Sequence, residues 1–217
     1  MPELNNIQTF AIWVLPVLFA ITLHEVAHGW MAMKLGDPTA KMLGRLTVNP
    51  AKHIDPIGTI LVPGILMLTS GFIFGWAKPV PITWENLKNP RRDMAMVALA
   101  GPFANLLMAI FWALMMKLGM ELSDTTSSWA YPLVLMGNAG IAINLILMIL
   151  NLLPILPLDG GRVLNSVLPP KIAYYFSKSE PYGLFIVLGL FFLGALAWVL
   201  SPAVNALRVI MYQIVGL

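Results

Sequence analysis

The chain lacks cysteine altogether, so it has neither a disulfide framework nor thiolate ligands for a metal. Charged residues are scarce as well: they make up 11% of the sequence, against about 25% in soluble domains, while hydrophobic residues make up 59%. The longest polar interval, 34–55, is too short for an independent domain. These absences predict a single all-α polytopic membrane domain over residues 1–217, with the lipid bilayer as its surroundings.

The net charge of +3 gives no reason to expect a nucleic-acid partner, because the basic residues cluster between apolar segments. The N-terminus has no basic region ahead of its first apolar segment. That segment also carries a candidate metal motif, so we expect it to be retained rather than cleaved as a signal peptide.

Five apolar stretches of about 18 residues or more predict membrane segments. They are 10–35, 57–75, 94–118, 131–153 and 182–200. A sixth stretch, 203–217, follows a Ser-Pro pair and is shorter, so it either spans with tilt, packs against the bundle or lies at the interface. We therefore expect a bundle of about five or six membrane segments.

The distribution of lysine and arginine predicts how the segments are oriented. Residues 34–52 and 78–92 contain four basic residues each, and strict alternation would place these intervals on opposite faces of the membrane. If 57–75 is a re-entrant element, eleven basic residues lie on the cytoplasmic face and two lie outside, as the positive-inside rule favours. A plain spanning helix is the alternative. The re-entrant form predicts a multi-pass cell-membrane protein with its N-terminus outside.

The first segment contains a motif with metal-ligand spacing, His24-Glu25-Val26-Ala27-His28. On a helix, positions four apart are rotated by about 40° and separated by about 6 Å, so both imidazoles can bind one zinc ion. Glu25 lies between them and is free to act on a water at that ion. The motif therefore predicts one Zn²⁺ per chain.

Catalytic zinc takes three protein ligands and leaves a position for water, so the two histidines need a partner. Asp159 is the preferred third ligand, because it follows a membrane segment that Pro154 and Pro157 must unwind. His53, together with Asp55, is the second candidate. Its polar, turn-rich surroundings are more typical of a structural histidine.

The direction of the segments gives an independent test of this choice. The histidines lie towards the C-terminal end of 10–35, and Asp159 lies beyond the C-terminal end of 131–153. The two segments must therefore run the same way for the ligands to meet, so 57–75 and 94–118 cannot both span. The metal hypothesis and the charge distribution thus predict the same re-entrant element.

Two further motifs follow along the chain, Gly-Pro-Phe-Ala-Asn at 101–105 and the run 151–161, which includes Leu-Asp-Gly. In this order, the three motifs resemble those of the site-2 protease family of intramembrane zinc metalloproteases. The resemblance covers about residues 10–162 and is closest to the small bacterial type, since no interval could hold a PDZ domain. The run from Asn151 is longer than the family's usual one, so we expect Asn151 to lie away from its family position.

The resemblance implies a zinc endopeptidase that cleaves single-pass transmembrane proteins near the cytoplasmic face, in regulated intramembrane proteolysis. It implies that His24, His28 and Asp159 hold zinc. A zinc-activated water would then attack the peptide carbonyl, with Glu25 as the general base. Asn105 matches a family position near the active site, where its amide would bind the substrate or the oxyanion. A helix-joining role for Asn105 is the alternative.

Residues 76–82 predict a small β-like edge at the cytoplasmic interface, because Pro79 and Pro81 suit neither a helix nor the centre of a sheet. Residues 44–48 are its predicted companion strand. Such an edge would hold an unwound substrate by strand addition. A simple interfacial loop is the alternative.

Two other classes of function are consistent with a membrane zinc site. A zinc transporter would need several acidic or histidine sites spread through the membrane, whereas the candidates here converge at one level. A catalytically inactive scaffold with structural zinc would have no use for Glu25 as a base.

Overall fold

A computed structural model of the chain describes residues 4–61, 65, 77–123 and 129–216. The helices whose bounds lie in these residues are α1 (Asn6–Lys34), α2 (Thr39–Met42), α3 (Pro90–Ser123), α4 (Ala130–Asn151), α5 (Asp159–Val167), α6 (Pro170–Ser177), α7 (Gly183–Phe192) and α8 (Ala195–Ile214). Short 3₁₀ or π turns lie at Pro50–Lys52, Pro56–Leu61, Trp84–Asn86 and Glu180–Tyr182. The predicted all-α class is confirmed.

Four of these helices, α1, α3, α4 and α8, are long and apolar enough to cross a membrane. Helix α1 begins at a capping box, in which the Asn5 side chain accepts from the Gln8 N–H and the Gln8 side chain accepts from the Asn5 N–H. Helices α3 and α4 approach closely because two glycines of α4 face large side chains of α3. A Cβ at Gly140 would overlap the Trp112 ring, and one at Gly137 would lie 2.6 Å from the Cβ of Met116.

Helices α1 and α4 run in the same direction, as the metal hypothesis requires. Leu4 and Gln8, at the start of α1, line one cavity together with Tyr131 and Pro132, at the start of α4. The other end of α1 meets the start of α3, where the Lys88 N–H donates to the Leu35 carbonyl. We call this second end of the bundle the site end.

The predicted re-entrant element, 57–75, lies largely outside the described residues and stays a prediction. Its flanks do meet at the site end. The Lys88 N–H lies 3.1 Å from the Leu35 carbonyl, and the Thr83 N–H lies 2.7 Å from an oxygen of Asp37. The chain therefore leaves the bundle after α1 and returns to it before α3 at the same end.

The predicted boundary between the last two segments was wrong. The stretch 182–200 does not form one helix, because Gly194 takes a left-handed conformation (φ 71°) that ends α7 and separates it from α8. Helix α8 then continues through Pro202 to Ile214, so 203–217 does not begin a separate segment. Pro202 is the eighth residue of α8 and lacks a backbone N–H, and the helix tolerates the loss of that one hydrogen bond.

The predicted β-like edge is also corrected, because the described residues contain no β-strand. Gly44 (φ 64°) ends α2, and the chain bends at 46–48 instead of forming the companion strand. Residues 77–83 form neither helix nor strand. Their polar backbone groups bond to the side chains of Glu25, Asp37 and Arg45 and to the His53 carbonyl, and Pro79 and Pro81 have no N–H to donate. Residue 76 lies outside the described residues.

Candidate metal centre

His24, His28 and Asp159 come together where α1, α3 and α5 meet, and all three are buried. One ligand atom from each lies within 4.8 Å of the others. The Oδ2 atom of Asp159 lies 3.2 Å from His24 Nε2 and 3.4 Å from His28 Nε2, and the two Nε2 atoms are 3.0 Å apart. The structure thus brings together the three residues predicted to bind zinc.

The position of Asp159 depends on the turn between α4 and α5. Helix α4 ends at Asn151, and Asp159 is the first residue of α5. The two glycines that follow Asp159 pack directly on the backbone of the turn. A Cβ at Gly160 would overlap the Leu152 carbonyl, and one at Gly161 would lie 2.5 Å from the backbone of Ile155. The predicted unwinding near the prolines therefore places the carboxylate against α1.

The Nδ1 atom of each histidine is engaged in a hydrogen bond, so Nε2 is the ring nitrogen that faces the centre. The Nδ1 atom of His28 lies 2.7 Å from the Val97 carbonyl, which can only accept, so Nδ1 carries the proton. The Nδ1 atom of His24 lies 2.6 Å from Asn105 Oδ1. The Asn105 amide is oriented by its Nδ2, which donates to the Ala20 carbonyl at 3.1 Å. His24 therefore also holds its proton at Nδ1.

The neutral imidazoles consequently direct two Nε2 lone pairs at the carboxylate of Asp159. The Oδ2 atom of Asp159 is buried and has no hydrogen-bond donor among the described residues. Three acceptors without a donor fit a cation, and two imidazole nitrogens with one carboxylate oxygen are ligands that zinc prefers.

Gly101 allows α3 to lie against both imidazoles. A Cβ at this position would overlap the His28 ring and would lie 2.6 Å from Cε1 of His24. The Gly-Pro-Phe-Ala-Asn motif thus places a glycine against the histidine rings and, four residues later, an asparagine that bonds to His24.

Glu25 is half-buried beside the centre, and it is not part of the three-residue ligand group. Its Oε2 atom accepts a hydrogen bond of 2.7 Å from the backbone N–H of Val80. The carboxylate of the predicted base is therefore held by a residue 55 positions away in the sequence.

His53 and Asp55, the second candidate ligands, lie elsewhere. The His53 ring is buried, and its Nε2 lies 2.9 Å from the Thr47 carbonyl. Asp55 accepts from the N–H groups of Ile57 and Gly58. His53 therefore fits the structural role that its surroundings predicted. In the described part of the chain, one group of three His, Cys, Asp or Glu side chains could hold a metal.

Three residues that support the centre were not found from the sequence. The Val97 carbonyl is a backbone group and leaves no mark in a motif. Asn144 is fully buried and accepts from Asn105 Nδ2 at 2.9 Å. The sequence did contain a signal for it, because an asparagine within an apolar segment needs a hydrogen-bond partner. Gly101 was part of a quoted motif, but its contact with the imidazoles was not foreseen.

Both hydrogens of the Asn105 amide are used within the protein, by the Ala20 carbonyl and by Asn144. This favours the helix-joining alternative, because Asn105 links α1, α3 and α4. Its role in binding the substrate or the oxyanion stays a prediction.

Comparison with known proteins gives a consistent result. The model of peptidase family M50 matches residues 123–194. YwhC of Bacillus subtilis is 39% identical over 199 residues, which cover 90% of this chain and 86% of that protein. Rip2 of Mycolicibacterium smegmatis is 29% identical over 206 residues, covering 93% and 71%. MJ0392 of Methanocaldococcus jannaschii is 25% identical over 171 residues, covering 79% and 38%.

All three relatives carry names that describe zinc metalloproteases. No solved structure matches the chain.

Proposed function

Because the chain belongs to peptidase family M50, the site-2 protease family of zinc metalloproteases, we propose that it cleaves single-pass transmembrane proteins within the membrane. The chain is a zinc metalloendopeptidase. The observation that carries the proposal is the location of the metal centre in α1, a helix long and apolar enough to span. His28 lies six residues before the end of α1 at Lys34, or about 9 Å at 1.5 Å per residue. A peptide bond must enter the membrane to reach it.

We propose that the site end faces the cytoplasm. Eight lysines and arginines flank the ends of α1 and α3 there, and the positive-inside rule favours the cytoplasmic side for such a cluster. They are Lys34, Lys41, Arg45, Lys52, Lys78, Lys88, Arg91 and Arg92. Cleavage close to this face would release the cytoplasmic part of a substrate, which is the outcome that regulated intramembrane proteolysis requires.

His24, His28 and Asp159 would hold the zinc ion, since their ligand atoms converge and Oδ2 of Asp159 has no hydrogen-bond donor in the described part of the chain. Zinc, when bound, supplies Lewis acidity that activates a water and the substrate carbonyl. The Nδ1–H groups of His24 and His28 donate to Asn105 Oδ1 and to the Val97 carbonyl, and these hydrogen bonds hold the two imidazoles in the tautomer that presents Nε2.

Glu25 then acts as the general base. Its carboxylate takes a proton from the attacking water and later donates that proton to the leaving nitrogen, so that the amine departs as a neutral group. The imidazoles and Asp159 are buried, which keeps bulk water away from these charges and strengthens their interactions.

The substrate must present an extended backbone at this centre. Each carbonyl of a transmembrane helix is already hydrogen-bonded to an N–H four residues ahead, and this bond protects the peptide group from attack. We therefore propose that the enzyme selects segments whose helix is easily unwound. Glycine, proline or asparagine near the scissile bond would favour cleavage, because each lowers helix stability.

The test is cleavage of a panel of single-pass substrates by purified protein in proteoliposomes, with zinc measured in the same preparations. We expect the wild type to cleave substrates with helix-breaking residues near the cytoplasmic end. Glu25→Gln should retain zinc and lose cleavage. Exposed Glu121, at the far end of α3, provides the matched control, and Glu121→Gln should cleave normally.

Unchanged cleavage by Glu25→Gln would contradict the mechanism. Cleavage of soluble peptides but not of membrane segments would contradict the proposed substrate class. Zinc flux through proteoliposomes without any cleavage would favour the transporter alternative.

A further inference from the structure

Residues 77–83, which we call the strap, form neither helix nor strand and cross the face of α1 beside Glu25. Several backbone N–H and carbonyl groups of the strap form hydrogen bonds with other segments of the chain. The Lys78 N–H donates to the His53 carbonyl at 2.9 Å, and the Lys78 carbonyl accepts from Arg45 at 2.8 Å. The Thr83 N–H donates to Asp37 at 2.7 Å. The strap is thus fastened at both of its ends.

Between these attachments, the strap directs one backbone donor at the predicted base. Pro79 and Pro81 have no N–H, so the N–H of Val80 is the only donor in that three-residue run. It lies 2.7 Å from Oε2 of Glu25, a distance typical of a charge-assisted hydrogen bond. The Val80 side chain is buried, and a Cβ at Gly29 would lie 2.9 Å from its Cγ1. Packing against α1 therefore fixes the position of the amide.

We propose that the backbone N–H of Val80 is a positioning group for Glu25. This inference depends on the proposed function, in which Glu25 is the base. A glutamate has three rotatable side-chain bonds, and a free carboxylate would visit many rotamers beside the metal centre. The hydrogen bond anchors Oε2, so that Oε1 is presented to the attacking water. Its benefit is orientation of the base, rather than zinc binding or substrate affinity.

The same contact has a competing interpretation as a restraint on the enzyme. If the strap held Glu25 in an unproductive position, substrate would have to break the hydrogen bond before cleavage. The two interpretations predict opposite effects on kcat when the N–H is removed.

The deciding experiment compares two substitutions at one position. Val80→Pro removes the N–H, and the flanking prolines already require an extended backbone that suits a third proline. Val80→Ala retains the N–H and removes most of the side chain, so it controls for lost packing. The measurements are kcat and KM for one single-pass substrate in proteoliposomes, zinc content per chain, and the thermal unfolding midpoint.

We expect Val80→Pro to lower kcat by about 10- to 100-fold relative to Val80→Ala, the penalty for a catalytic group displaced by about 1 Å. KM should change by less than about threefold, and both variants should retain one zinc per chain, because the N–H contacts no metal ligand. A purely structural role would lower zinc content or the unfolding midpoint together with kcat.

Equal kcat for the two variants would overturn the proposal, and a higher kcat for Val80→Pro would show that the contact is a restraint. If Val80→Pro loses zinc or unfolds, residue 80 can be replaced by the α-hydroxy acid of valine, which exchanges only the N–H for an oxygen. This replacement makes the bond between residues 79 and 80 an ester, and the same outcomes then apply to that variant. A wild type that cleaves no substrate would reject the proposed function instead.

Discussion

Asn105, on α3, has its Oδ1 2.6 Å from Nδ1 of His24 on α1, and the same amide also reaches α4. Its Nδ2 donates to the Ala20 carbonyl on α1 and to Asn144 on α4. One fully buried side chain therefore sets the tautomer of a ligand and joins three membrane helices.

Asn105→Leu should weaken zinc binding while the ligands stay intact. Leucine has a similar volume but accepts no hydrogen bond, so His24 loses the partner that holds its proton at Nδ1. Outer-shell partners of metal-bound histidines typically contribute about 10- to 100-fold to affinity, and we expect a loss in that range. Competition with a fluorescent zinc chelator measures it.

Asn151 provides a matched control, because its Nδ2 donates only to the Leu147 carbonyl of its own helix. Asn151→Leu should bind zinc as the wild type does. An equal loss in both variants would show that the effect of Asn105→Leu is general to membrane asparagines rather than specific to the centre.

Gly101→Ala should remove zinc binding through steric overlap alone. Its Cβ would occupy space that the His28 ring fills, so α3 or the imidazole must move. Such overpacking costs about 1–3 kcal/mol in unfolding free energy and should displace a ligand. Zinc content and thermal stability in detergent report the two effects.

Gly189→Ala in α7 is the comparison for this substitution, since a Cβ there meets nothing within 4 Å. It should leave zinc binding unchanged and stabilise α7 by up to about 1 kcal/mol. If Gly101→Ala behaves in the same way, the close approach of α3 to the imidazoles is not required.

The convergence of His24, His28 and Asp159, a group that could hold a metal, could be predicted because its signals are local. A separation of four residues puts His24 and His28 on one helix face, and the prolines before Asp159 indicate where the helix unwinds. The direction of α4 then followed from the need for the ligands to meet. The supporting contacts could not be predicted in this way, because the Val97 carbonyl and the Val80 N–H are backbone groups whose role depends on packing between distant segments.

The errors also have physical causes. The sequence indicated a helix break at the Ser-Pro pair, yet α8 continues through Pro202 and the break falls at Gly194. Proline removes one donor, whereas a glycine at positive φ redirects the chain, and hydropathy does not distinguish them. Residues 76–82 were predicted to be an edge strand because Pro79 and Pro81 suit neither a helix nor the centre of a sheet. The sequence does not indicate which side chains bond to this segment.

Asp37 should make the stability of the strap depend on pH. Burial alone would raise the pKa of Asp37, but hydrogen bonds from Thr39, Asn86 and the Thr83 N–H outweigh burial and hold the pKa below its ordinary value. A lowered folded-state pKa stabilises the protein above the unfolded-state pKa of about 3.9, and this stabilisation is lost as pH falls through the folded value.

Asp37→Asn should therefore destabilise the zinc-free protein by about 1–3 kcal/mol at pH 7, because both oxygens of Asp37 accept hydrogen bonds and asparagine replaces one of them with an NH2 donor. The difference from the wild type should begin to shrink below about pH 4, where Asp37 becomes protonated in the unfolded chain, and should be lost below the lower folded-state pKa. Chemical unfolding in detergent at pH 7 and at lower pH measures this. A difference that does not vary with pH would show that the ionised form contributes nothing.

Asp159→Asn and His53→Ala distinguish the two candidates for the third ligand. Asp159 lies 3.2 Å and 3.4 Å from the two imidazole nitrogens, so its substitution should lower zinc content well below one per chain. His53→Ala should retain full zinc content, because that ring bonds to the Thr47 carbonyl. It should still reduce stability by about 1–3 kcal/mol, since a buried ring is removed and the half-buried Thr47 carbonyl loses its donor. Metal analysis after gel filtration gives the zinc content, and retention by Asp159→Asn with loss in His53→Ala would reverse the assignment.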